Sequence, residues 1–228
     1  MRKTIIFPLL ALLTAGLALH AQDVAAPDYA AIRQQITDSN SQFHYPKLME
    51  RFEQCDTTLV LEEYRALYYG FPLSEDFIPY HGENKKLLEI RKKILKSDYD
   101  TDTCDKIIRV AKEALLDNPF DLTALSIIPI CYQLMDSTDV ARVWEIKVQG
   151  IVDAICSSGD GETAETAYHV INIEHEYEIL NRRHLELNQV LVEKMPIDHM
   201  TVQANSDSIA GIYFNFGACS DVYREKYK

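Results

Sequence analysis

The chain has 228 residues, of which 47% are hydrophobic and 25% charged, with a formal net charge of −12. This composition suits a packed core, so the chain is neither a disordered tail nor a disulfide-stapled miniprotein. Its acidity argues against nucleic acid as a partner, because that binding needs Lys and Arg to neutralise phosphates, and against anionic membrane surfaces for the same reason.

At the N-terminus Arg2 and Lys3 precede an apolar run, Thr4 to Leu19, interrupted only by Pro8, Thr14 and Gly16. The run is shorter than the roughly 18–20 residues that span a bilayer. Ala21 then offers a small residue for cleavage, although Leu19 is larger than usual two residues before it. Residues 1–21 are predicted to be a cleavable signal peptide. Cleavage removes Arg2 and Lys3 and no acid, taking the net charge from −12 to −14. The first cysteine is Cys55, so no lipid acceptor follows the apolar run. The expected address is the periplasm or the cell exterior, without a lipid anchor and without a transmembrane segment in the mature chain.

The mature chain, residues 22–228, is expected to form one domain, with a helical layer over about 28–157 and a small β-rich part over about 158–228. Asp28 can cap a first helix whose stripe is Tyr29, Ile32 and Ile36. Pro46 suits the first turn of a second helix, with Leu48, Met49 and Phe52 inward. Thr57 to Leu61 reads as an extended link. Glu62 to Tyr69 reads as a third helix, with Gly70 as its terminator. Residues 71–82 hold three aromatics, Phe71, Phe77 and Tyr80, among Pro72, Pro79 and Gly82, so an ordered loop is expected. A helix edged with lysine and arginine is expected over about 83–97, its basic face solvated.

Two further helices are expected over 102–117 and from Pro119 to about Met135. Ile107, Ala111, Ala114 and Pro119 match the second half of a tetratricopeptide repeat, where small residues let paired helices approach. Leu125, Ile128 and Tyr132 stand at the next packing positions, Pro129 replaces the expected small residue, and Ala141 falls where the following small residue belongs. A last long helix over about 138–156 carries Trp144, Ile151, Val152 and Ile155. Residues 157–161 form a turn cluster, after which 167–173, 185–192, 200–203 and 212–216 look strand-like. The expected class is helix-rich α+β: tetratricopeptide-like antiparallel helical hairpins followed by a small, mostly antiparallel sheet.

Two long segments carry a resemblance. One is Thr57-Thr58-Leu59-Val60-Leu61-Glu62-Glu63-Tyr64-Arg65-Ala66-Leu67-Tyr68-Tyr69-Gly70-Phe71, and the other runs from Ser158-Gly159-Asp160-Gly161 through Ala167-Tyr168-His169-Val170-Ile171. Together they resemble domain of unknown function 4919, a family of exported Bacteroidetes proteins, over nearly the whole mature chain. The resemblance implies a periplasmic or cell-surface setting and supplies no catalytic residues.

Candidate chemistry is sparse. The five cysteines, Cys55, Cys104, Cys131, Cys156 and Cys219, cannot all pair, and none forms a CxxC. Cys131 and Cys156 read as buried small hydrophobes. His169, His175, Glu176 and His184 lie close in sequence, and His175-Glu176 resembles the start of HExxH, but position 179 is Ile. No metal site and no cofactor is expected. Asp160 and Glu162 lack the further oxygen ligands that calcium needs. No GxSxG, P-loop or GxGxxG is present.

Tyr64, Arg65, Tyr68, Tyr69 and Tyr80 make the densest aromatic zone together with Phe71 and Phe77. Tyr with Arg is the composition of interface hot spots, so these are the candidate binding residues, in a groove between the helical layer and loop 71–82. The plainer alternative is that the rings lock that loop to the helices. The expected function is a non-catalytic module of the cell envelope that binds a protein or peptide partner. The competing reading is an exported hydrolase acting on glycan or peptide through His169, His175 and Glu176.

Overall fold

The computed structural model of the chain describes residues 24–80, 87, 89 and 101–227. The predicted signal segment and most of the predicted basic helix over 83–97 lie outside the described residues. Within that helix Leu87 and Glu89 are helical, and Leu87 is fully buried.

Eight α-helices are described. The first is α1 (Tyr29–Thr37), capped as expected: the Asp28 carboxylate accepts from Ala30 N and Ala31 N at 3.0 Å each. In α2 (Tyr45–Glu53) Pro46 occupies the first turn, and Leu48 and Phe52, one turn apart, are buried. The third helix, α3 (Leu61–Gly70), opens where the Glu63 carboxylate reaches back to Val60 N at 3.0 Å. Its residues Leu67, Tyr68 and Tyr69 are fully buried, so α3 runs through the centre of the molecule.

Gly70 does not end α3 as a left-handed cap. Its φ is −77°, and the chain tightens directly into a 3₁₀ turn, Phe71–Leu73. A Cβ there would meet the Tyr45 ring at 3.0 Å and Ile36 at 3.2 Å. The missing side chain lets α1 and α2 approach α3, so the glycine serves packing.

The next three helices are α4 (Thr101–Asp117), α5 (Leu122–Leu134) and α6 (Thr138–Cys156). Asp121 caps α5 by accepting from Ala124 N at 2.8 Å. Ile107, Ala111 and Ala114 of α4 pack on Ala124, Ile127, Ile128 and Cys131 of α5 in a core of their own. Pro129 sits inside α5 and is itself buried. It removes one helical hydrogen bond.

Residues 167–173 do not continue as one strand. Only Tyr168–His169 pairs as β1, and Asn172 then turns the chain into α7 (Glu174–Arg182), its side chain accepting from Glu174 N at 3.1 Å. Two antiparallel pairings follow, β2 (Leu187–Lys194) with β3 (Ile197–Val202), and β3 with β4 (Gly211–Asn215). The shifted apolar phase along β2 corresponds to breaks in register at Leu187/Gln189 and Val192/Lys194. The chain closes with α8 (Gly217–Tyr227), whose first N–H is taken by the Asn215 side chain at 2.8 Å.

The sheet order is β1-β4-β3-β2, with β1 parallel to β4. The sheet is mostly antiparallel, as expected, and its one parallel pairing, β1 with β4, makes it mixed. The reason is topological: α7 and the β2–β3 hairpin intervene between β1 and β4, and the chain re-enters beside β1 in the same direction. Met200, Ile212 and Phe214 from the inner face of the sheet share one hydrophobic core with Tyr68, Ile151 and Ile179. Helical layer and sheet are therefore welded along a common interior.

Candidate functional site

Three of the five aromatic-zone candidates are core residues. Tyr68 donates its hydroxyl proton to His175 Nδ1 at 2.6 Å, because His175 Nε2 faces the Phe120 carbonyl at 2.9 Å and a carbonyl can only accept. Ile171 N–H in turn donates to the Tyr68 oxygen at 3.2 Å. The group is closed: every polar atom in it has a partner, and the ring tautomer is fixed by its neighbours. Burial pushes His175 down to about 4, so the imidazole is neutral. Tyr69 shares its hydroxyl between the Ala154 and His169 carbonyls, at 3.1 and 3.2 Å. Tyr64 is buried against Gly150, where an added Cβ would fall 2.2 Å from its ring.

Arg65 and Tyr80 lie nearer the surface. Arg65 donates to Ser157 Oγ at 2.5 Å and to the Ala25 carbonyl at 2.8 Å, tying the segment before α1 to the end of α6. Tyr80 has a φ of 55° and packs its exposed ring against Tyr223 at 5.2 Å. The five side chains do not form one groove: Tyr64, Tyr68 and Tyr69 pack in the interior.

His169, His175 and Glu176 do not converge on one cavity. His175 borders a void of about 10 Å³, room for one water, beside Phe71, Phe77 and Asn118. Glu176 sits on α7 with no exposed surface, and neither carboxyl oxygen has a hydrogen-bond partner. Burial, and then the nearby Asp198, push it up to about 9. Asp198 points to the same interior from β3, with Oδ1 unpartnered, and burial raises it too. At neutral pH Glu176 is thus an uncharged acid, sealed from solvent. Among the described residues no three His, Cys, Asp or Glu side chains gather in a metal-holding arrangement.

His169 belongs elsewhere. It borders a groove of about 590 Å³ between α1, the chain at 72–75, the ends of β1 and β4, and α8. Pro72, Leu73, Ser74 and Glu75 form one wall of this groove. Facing them are Tyr29 and Arg33 from α1 and Ala218, Asp221, Val222 and Glu225 from one side of α8. Lys226 holds α8 in place by donating to the Glu75 and Phe77 carbonyls at 3.2 and 2.7 Å. Burial, and then Arg65, push the His169 imidazole down to about 4, so it borders the groove uncharged.

Two residues of the groove wall, Tyr29 and Ser74, carry enclosed hydroxyls with no partner. An unpaired buried polar group costs about 1–3 kcal/mol. Burial, followed by Tyr69 and Asp221, raises the Tyr29 phenol, so it stays a neutral donor and acceptor. Apart from His169, these groove residues escaped the sequence because they come from separate segments and form no motif. The local signals were two pairs at helical spacing, Tyr29 with Arg33 and Asp221 with Glu225.

Among the described residues no helix is long and apolar enough to cross a membrane. No curated protein and no solved structure matches the chain. The family model for a domain of unknown function, DUF4919, matches residues 30–225, which takes in α1, the sheet and nearly all of α8, and the chain belongs to that family.

Proposed function

We propose that this chain is an exported, non-catalytic binding module of the cell envelope, and that its ligand seats in the groove between α1, residues 72–75 and α8. The groove carries the reading. Its volume, about 590 Å³, falls in the range of roughly 300–1,000 Å³ typical of small-molecule sites. Its wall combines apolar surface from Pro72, Leu73 and Val222 with a few convergent polar groups. Support for a non-catalytic role comes from the core: the imidazole of His175 is held by two hydrogen bonds, and Glu176 is sealed in the interior. Export rests on the basic start, the short apolar run and the small residue at position 21.

The test fills the groove. Ala218→Phe places a ring in it from the first turn of α8. Purified wild-type and variant chains are compared by thermal shift against extracts of the producing cell's envelope. The wild type should be stabilised by a fraction that leaves Ala218→Phe unchanged; equal response of both chains removes the groove as the site. Export is checked by the mass of the mature chain, which should begin at Gln22.

A further inference from the structure

We infer that the ligand of this groove is a neutral, polyhydroxylated molecule, in class a short saccharide, an inference that rests on the groove being a binding site. The charges of the wall are nearly balanced. Arg33 and Lys226 face Glu75, Asp221 and Glu225, and Asp221 is already paired with Arg224 on its own helix. No surplus of either sign is left to hold an ion.

The remaining polar groups both donate and accept. Tyr29 and Ser74 each carry a hydroxyl with no partner, and the uncharged His169 ring borders the groove. A sugar hydroxyl is also donor and acceptor at once, so it pairs with any of the three whichever way the proton points. Carboxylates such as Glu225 accept from further hydroxyls, and Pro72, Pro196 and Val222 offer apolar surface to the C–H faces of a ring.

An extended peptide fits less well, because it binds by pairing its backbone with a free strand edge. Here the edge is occupied. His169 N donates to Ser158 Oγ at 2.8 Å, and its carbonyl accepts from Tyr69. The Asn215 carbonyl accepts from Val170 N at 2.9 Å, and Phe216 N is taken by the Pro196 carbonyl at 3.1 Å.

The test is calorimetric titration of the purified mature chain with cellobiose, maltotriose, mannotriose and N-acetylchitotriose, beside a set of tripeptides and inorganic phosphate. At least one saccharide should bind. Tyr29→Phe and Ser74→Ala should each weaken it about fivefold to tenfold, the loss of one hydrogen bond. Tyr29→Phe should also raise the melting temperature of the free chain, because it removes an unpaired buried hydroxyl. That opposite movement of affinity and stability is not produced by mere structural damage. Binding of tripeptides or phosphate without any saccharide overturns the saccharide assignment and leaves the groove as a binding site. Saccharide binding that is indifferent to Tyr29→Phe, Ser74→Ala and Ala218→Phe places the sugar elsewhere and overturns the inference. No binding by any probe overturns it as well; the envelope-extract comparison with Ala218→Phe then decides separately whether the groove binds anything.

Discussion

The Tyr68 hydroxyl and His175 Nδ1 lie 2.6 Å apart, joining the last turn of α3 to the first turn of α7 across 107 positions of sequence. This bond, with the Phe120 carbonyl and Ile171 N–H on either side, connects helical layer and sheet by buried polar contacts as well as by apolar packing. Low dielectric strengthens such bonds and makes their loss expensive.

Tyr68→Phe should therefore destabilise the fold by about 2–3 kcal/mol, since it strands two buried groups, His175 Nδ1 and Ile171 N–H. Chemical denaturation followed by circular dichroism measures this. A loss below half a kcal/mol means that water or a shifted ring satisfies both.

Stability should peak near pH 6.5. His169 and His175 are depressed from an ordinary value near 6.5 to about 4, so the unfolded chain takes up their protons first. Their contribution is complete above 6.5 and is lost as pH falls toward 4. Glu176 is raised from 4.5 to about 9. Its contribution is complete below 4.5 and is lost as pH rises toward 9. Melting temperatures across pH 4–9 test the profile. Glu176→Gln, which stays neutral, should flatten the alkaline side; an unaltered alkaline slope assigns that slope to another group.

Gly150→Ala should cost about 1–3 kcal/mol, because its methyl group meets the Tyr64 ring and the core must shift to admit it. Combining it with Tyr64→Leu should recover part of that loss. Strict additivity in the double-mutant cycle would show that the two positions do not touch.

Thiol labelling should single out Cys55. It is partly exposed, whereas Cys104, Cys131 and Cys219 are buried. Burial pushes Cys131 up to about 12 and Cys219 to about 11, and it raises Cys156 as well. A thiol reacts as its thiolate, so these should label slowly until denaturant is added. Mass spectrometry after brief treatment with a thiol reagent should find one adduct. Rapid labelling of Cys131 would reveal opening of the α4–α5 hairpin.

By itself the sequence determined the local elements whose signals are short-range. Asp28 and Pro46 marked helix starts, the apolar stripes marked α1 to α3 and α4 to α6, and two long segments pointed to the family. It failed at α7, because a His and two Glu occupy buried positions there and break the apolar period, and at α8, whose start is fixed by a strand side chain, Asn215. Only the tertiary structure decided which polar residues are interior and which border a groove. Tyr68 and Tyr29 look equivalent on paper, yet one completes a closed hydrogen-bond group while the other is left unpaired in the groove wall. That difference depends on which distant groups come within about 3 Å, and hydrogen bonding is too short-ranged for adjacent sequence to specify it.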